Sequence, residues 1–267
     1  MLGLGGGTGW LWPAGSAGSW ARSRGAEYRV GLLARRDPEW VDHAACEGRK
    51  MKRRLREPVS GLTHLAGVLL AVAGLVVLLT TAARAGRTDQ LVAFGIFGCS
   101  LIALYGASSL YHLLPLFSPA VARLRRVDHM TIFALIAGTY TPICLLALEG
   151  GWRAGLLGAV WDLALGDILL KLFWMDAPRW LSVALYLAMG WVAVVAAPAI
   201  FETVPAGGVV WLLAGGAVYS AGALIYGLKR PDPVPGVFGF HELWHLFVLA
   251  GSACHFWVML RYIAPLS

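Results

Sequence analysis

The chain has 267 residues, of which 58% are hydrophobic and 14% charged, and it carries a formal net charge of +7. That balance excludes an ordinary water-soluble domain and points to a polytopic membrane protein. The Lys and Arg residues fall in short clusters between apolar runs, with no basic stripe interleaved with aromatics, so they report membrane orientation and argue against a nucleic-acid partner.

Residues 1–50 contain no apolar run long enough to span a bilayer and no signal-peptide pattern. The character changes at Met51, where Met51-Lys-Arg-Arg-Leu-Arg56 forms a basic flank before the first apolar run. The expected organisation is a disordered tail or mis-called extension over 1–50, followed by one membrane domain over 51–267.

Seven apolar runs follow, roughly 60–81, 90–112, 129–148, 152–172, 180–200, 207–227 and 239–263, each near the ~20 residues a helix needs to cross the hydrocarbon. The linkers between them hold turn formers or charge, and none is long enough to be a separate domain. The expected fold is therefore all-α, a bundle of seven transmembrane helices without an internal repeat. Basic residues at alternating ends fix its sense. Eleven fall on one side (Lys52, Arg53, Arg54, Arg56, Arg123, Arg125, Arg126, Lys171, Arg179, Lys229, Arg230) and four on the other (Arg84, Arg87, Arg153, Arg261). The N-terminus is thus expected in the cytoplasm and the C-terminus outside. Of the four cysteines, Cys46, Cys99, Cys144 and Cys254, three lie in apolar runs and none in a C-x-x-C spacing, which reads as small buried hydrophobes rather than thiolate ligands.

The last run carries His241, Glu242, His245 and His255. Ionisable groups inside a span are costly and mark a functional site by default. One helical turn separates His241 from His245, so both can grip one metal ion. The spelling His241-Glu242-Leu243-Trp244-His245 also fits the H-E-x-x-H pattern, in which the glutamate acts as general base of a metallopeptidase. The same pair can instead be interfacial histidines bonded to neighbouring helices. Depth supports the metal: in the expected topology His112, Asp128, His241 and His245 all lie towards the cytoplasmic face. His255, ten residues beyond His245, lies about 15 Å further across and is expected to be a polar contact within the bundle.

Three imidazoles, His112, His241 and His245, would make a three-ligand zinc site with a fourth position for water, whose pKa the metal lowers to about 7. Asp128 is the candidate base for that water, and capping its helix is a compatible second role. Ser108, one turn before His112, can polarise a scissile carbonyl or simply pack between helices. Glu57 and His64 are expected at the site mouth or behind the ligands, with Glu242, although Glu57 reads more readily as a solvated interfacial glutamate; His129 points about 100° away from Asp128. In the fourth run, Asp167 and Lys171 are spaced to pair along one face, whereas Asp162 has no local partner and must face a polar interior or stay neutral.

Five elements in order resemble a known family: Glu57-Pro58 with Thr63-His64; Ser108-Ser109-Leu110-Tyr111-His112; Arg126-Val127-Asp128-His129; Gly138-Thr139-Tyr140-Thr141-Pro142; and Phe240-His241-Glu242-Leu243-Trp244-His245 through His255-Phe256. Over 51–267 the chain resembles the haemolysin III family, the bacterial branch of the progestin and adipoQ receptor superfamily, which is similar to alkaline ceramidases. The resemblance implies a multi-pass protein of the bacterial cytoplasmic membrane. It also implies zinc on His112, His241 and His245, with Asp128 contacting the ion through water. It weakens the peptidase role of Glu242, because relatives carry glutamine there, while Asp162 and Asp167 depart from the small or apolar residues expected.

Three functions follow as expectations: a zinc-dependent intramembrane hydrolase of a lipid amide, ceramide-like, with zinc-bound water as nucleophile; a pore-forming cytolysin; or a receptor or regulator of membrane lipid composition with structural zinc. A membrane lipid is the expected substrate or ligand in the first and third, and the oligomeric state is open. An intramembrane peptidase ranks below these, since no Leu-Asp-Gly-type motif accompanies the histidines.

Overall fold

The computed structural model describes residues 55–115 and 118–266, so the expectations placed on 1–50 and on the basic residues 52–54 lie outside the described residues. Among the described residues every regular element is helical: α1 (Pro58–Arg84), α2 (Thr88–Leu113), α3 (Ser118–Ala147), α4 (Gly150–Phe173), α5 (Arg179–Gly190), a 3-10 turn over Val192–Ala196, α6 (Ala197–Thr203), α7 (Ala206–Leu228) and α8 (Phe240–Val258), which ends in a π turn over Met259–Ile263. Consecutive helices pair through short loops, as expected of an up-and-down bundle. The main pairings join α1 to α2, α2 to α3, α3 to α4 and α7 to α8, and α1 also meets α8.

Among the described residues six helices are long and apolar enough to cross a membrane: α1, α2, α3, the compound rod Arg179–Thr203, α7 and α8 through its π turn. Their outer faces are apolar, with Leu69 and Leu70 of α1 more than two-thirds exposed. A soluble protein does not present such a surface, so this is a multi-pass membrane protein. The fourth expected span does form a helix, but its charges, Arg153, Asp162, Asp167 and Lys171, keep α4 out of the six.

Four features differ from expectation. α3 begins about ten residues early, at Ser118, because the polar segment containing Arg123, Arg125 and Arg126 continues the helix beyond its apolar part. Inside α4, Lys171 does not pair with Asp167: its buried Nζ donates to Ser182 Oγ of α5 at 2.5 Å, a partner supplied by the neighbouring helix. Asp162 faces outward rather than into a polar interior. Cys144 is buried, but Cys254 is half-buried and Cys99 exposed on the outer face of α2.

The run 180–200 is also broken, between Gly190 and Ala197. Pro198 has no N–H to donate to Val194, and its ring crowds that carbonyl, so the turn before it tightens. Tyr140 of α3 repairs the gap. Its hydroxyl lies 2.7 Å from Gly190 O and 3.2 Å from Met189 O, and accepts the Ala193 N–H at 3.0 Å. The break thus lies beside the interior of the bundle, where freed backbone groups can be satisfied.

Candidate metal centre

α8 starts at Gly239, whose carbonyl accepts the Leu243 N–H at 3.0 Å. The Glu242 side chain reaches back to the Gly239 N–H at 2.8 Å, the carboxylate half of a capping box. That start fixes the register that turns His241 and His245 towards α2. There His112, in the last turn of α2, completes a group of three imidazoles whose candidate ligand nitrogens all lie within 4.8 Å of one another. His241 Nε2 and His112 Nε2 are 3.3 Å apart. A tetrahedral ion with Zn–N bonds of 2.0–2.1 Å requires nitrogens about 3.3 Å apart, so this pair is already spaced as two ligands.

Two of the remaining ring nitrogens, those of His112 and His245, are held from behind. Glu57, the residue before α1, takes His112 Nδ1 on its carboxylate Oε2, which leaves Nε2 free to face the centre. This contact holds the Glu57 carboxyl below the usual glutamate range, against the opposing effect of its partial burial. His245 Nδ1 lies 3.1 Å from Ser60 O, which accepts its proton and again leaves Nε2 facing inward. Anchoring the distal nitrogen on a carboxylate or carbonyl is how proteins orient metal-binding histidines. Ser60 also donates its hydroxyl to Glu242 Oε1 at 2.6 Å.

From this cluster a cavity of about 120 Å³ runs into the bundle, lined by Ser108, Asp128, His129, His241, His245 and His64 at one end and by Trp191, Tyr219 and His255 at the other. It adjoins a second cavity of about the same size, which shares Tyr140, Trp191 and His255 and continues to Val194, Phe201 and Leu213. Most of the lining is apolar, and the space suits a length of acyl chain or several waters.

The sequence of residues 52–256 matches the family described as haemolysin-III related. Hemolysin-3 of Bacillus cereus is 37% identical over 220 residues, covering 81% of this chain and 96% of its own length. A Hemolysin-3 homolog of Bacillus subtilis (strain 168) is 39% identical over 206 residues, covering 77% and 93%. The chain belongs to the haemolysin III family. An adiponectin receptor protein of Drosophila melanogaster, 26% identical over 213 residues and covering 73% of this chain and 48% of its own, reflects the wider progestin and adipoQ receptor superfamily.

Within this haemolysin III fold, the three histidines singled out by spacing and depth are brought together, and Glu57 reaches one of them. Asp128 is buried on the cavity wall, outside the three-histidine group. The Ser108 hydroxyl is buried there with no hydrogen-bond partner among the described residues. His64 is not a fourth member: its ring stacks on His245 at 3.6 Å and 7°, with both nitrogens buried and unpartnered among the described residues. His129 lines the cavity despite its angular offset from Asp128, because the cavity wall is wide enough to take both.

Sequence reasoning did not single out the hydroxyl cluster deeper in the bundle. Tyr105 donates to Ser252 Oγ at 2.6 Å, Tyr219 lies 2.8 Å from the same oxygen, and Tyr219 adjoins His255, whose Nδ1 donates to Gly251 O at 2.9 Å. Glycines make room for it: a Cβ at Gly215 would run into the His255 ring, and one at Gly251 would meet Tyr219 at 2.8 Å.

Proposed function

We propose that this haemolysin III protein is a zinc-dependent hydrolase of a membrane lipid amide, ceramide-like, working inside a bundle of seven spans with its N-terminus in the cytoplasm. The observation that carries this reading is the convergence of three imidazoles, two of them anchored from behind, at the end of a mostly apolar cavity whose wall also holds a buried carboxylate. His112, His241 and His245 would hold the ion, which would supply Lewis acidity and lower the pKa of a nearby water. Asp128 takes the proton from the attacking water and returns it to the leaving amine. Ser108, with a hydroxyl that has no other partner among the described residues, donates to the carbonyl oxygen as charge develops there. Glu57 and Ser60 keep His112 and His245 in the tautomers that ligation needs. The apolar cavity receives the acyl chain and limits the access of bulk water.

The names of the Bacillus relatives suggest haemolysis. A pore gains less support, because the two adjoining cavities that lead from the site are about 120 Å³ each and mainly apolar.

Metal content and turnover of purified protein test the proposal together. The parent should hold about one zinc per chain, and His112→Ala and His245→Ala should each lose it. Asp128→Asn should keep the zinc and lose at least about a hundredfold in lipid-amide turnover, the usual weight of a general base. Zinc retained in both histidine variants would end the three-histidine assignment. Zinc bound with no lipid-amide turnover in the parent would transfer the site to lipid sensing with a structural ion.

A further inference from the structure

On the side of the histidine cluster formed by α3, α5, α7 and α8, the structure holds cations that the proposed chemistry does not use. Arg179, the first residue of α5, lies with its guanidinium carbon 5.0 Å from the Tyr226 ring centroid and 5.7 Å from that of Phe240. Tyr226 is part of the cavity wall, and its ring is 5.9 Å from that of His241. The two aromatic faces fix the guanidinium plane without consuming its N–H groups. Arg179 Nη1 is buried and has no hydrogen-bond partner among the described residues. Arg125 of α3 reaches the loop that leads into α5, where its contact to the well-exposed Asp176, three residues before Arg179, is a loose 3.8 Å. One turn further along α3, on the same face as Arg125, His129 lines the cavity with its Nδ1 buried and unpartnered among the described residues. Lys171 has its own partner in Ser182 and a neighbouring carboxylate in Asp167, which leaves the Arg179 and Arg125 guanidinium groups as the cations of this corner with donors to spare beside an apolar cavity.

We propose that this corner is a seat for the phosphate of an anionic membrane lipid, held by Arg179 and Arg125, with the lipid's acyl chain in the adjoining cavity. A guanidinium fork matches phosphate oxygens with two parallel hydrogen bonds, and a pre-oriented fork loses less freedom on binding than a mobile one. Basic pockets between membrane helices select phosphate-bearing headgroups for this reason. The apolar cavity explains why the ligand is an amphiphile rather than a bare ion. The seat depends on neither metal nor turnover, so it stands or falls separately from the hydrolase proposal.

The test is the thermal midpoint of delipidated, detergent-solubilised full chain titrated with dioctanoyl phosphatidate, dioctanoylglycerol and inorganic phosphate. Phosphatidate should raise the midpoint saturably, while dioctanoylglycerol should bind at least about tenfold more weakly, the equivalent of losing a charge-assisted hydrogen bond. Arg179→Gln with Arg125→Gln should remove that preference, and Arg84→Gln, at the far end of α1, should keep it. Equal binding of phosphatidate and dioctanoylglycerol to the parent overturns the proposal and needs no variant, so a variant that fails to fold leaves the test intact. Inorganic phosphate matching phosphatidate would overturn the lipid occupant and assign the seat to free phosphate. An unchanged preference in the double variant would overturn the assignment to these arginines.

Discussion

Glu242 sits inside an H-E-x-x-H spelling, yet both of its carboxylate oxygens are engaged, Oε1 by the Ser60 hydroxyl and Oε2 by the Gly239 amide. A general base needs a lone pair aimed at the reacting water, and here the lone pairs start a helix. Glutamine can make the same two contacts, its oxygen accepting from Gly239 and its amide donating to Ser60. Glu242→Gln should therefore keep its zinc and its turnover and lose no more than about 1 kcal/mol of stability, the scale of a cap; metal analysis and a melting curve check this. Loss of turnover with zinc and fold intact would return the glutamate to the chemistry. A second residue-scale outcome concerns Gly215. A methyl group there would run into the His255 imidazole, and that ring, bonded to Gly251 O, has little room to move. Gly215→Ala should cost about 1–3 kcal/mol in thermal unfolding, typical of overpacking, while leaving zinc in place. At this scale the three histidines were legible because a four-residue spacing and equal membrane depth are written in the chain. The hydroxyl cluster was not, because serines, tyrosines and glycines in a span read as ordinary packing until their neighbours are known.

At the scale of the element, helix existence was legible and helix continuity was not. The apolar run 180–200 satisfies the length rule for one span, and an apolar run does not reveal that Pro198 removes a bond to Val194 or that Tyr140 of another helix stands ready to replace what is lost. The missing bond is local, four residues from the proline, but its replacement requires a partner more than forty residues away. The Tyr140 hydroxyl serves three backbone groups at the break, Met189 O, Gly190 O and Ala193 N–H. Phenylalanine would fill the same volume and leave those groups in an apolar interior. Tyr140→Phe is expected to lower stability by about 1–3 kcal/mol, the cost of leaving buried polar groups unpaired, and to increase backbone hydrogen exchange at Gly190–Ala193 more than in α2. Metal content should not change. Equal exchange in parent and variant at those residues would mean that the break is held by Pro198 and its packing alone. The partner of Lys171 was hidden for the same reason: local spacing offered Asp167, while the fold supplied Ser182.

For the whole molecule the open quantity is the parity of the spans. α4 has 24 residues, about 36 Å of helix, which is enough to cross the hydrocarbon, but its four charges oppose burial in lipid. Two of them are already sheltered: Lys171 and Asp167 are buried against neighbouring helices. The Arg125–Asp176 contact brings the loop after α4 to the level of the first turns of α3, as an antiparallel pair of full-length helices requires. If α4 crosses, positive residues accumulate on the side of Arg56, Arg125 and Arg179, and that side is cytoplasmic. If it does not, the loop after α4 and everything beyond it change sides, and the basic residues divide without a clear majority. Single cysteines in a background without the native ones, at Gly86, Asp176 and Pro265, decide this with a membrane-impermeant maleimide on intact cells. Seven spans with an inside N-terminus should label Gly86→Cys and Pro265→Cys at once, and Asp176→Cys only after permeabilisation. Six spans with the same start would protect Pro265→Cys and expose Asp176→Cys. The two outcomes also differ in function, because in the six-span arrangement His241 and His245, at the start of α8, would enter from the opposite side of the membrane to His112 at the end of α2, contradicting the group in which the three imidazoles meet.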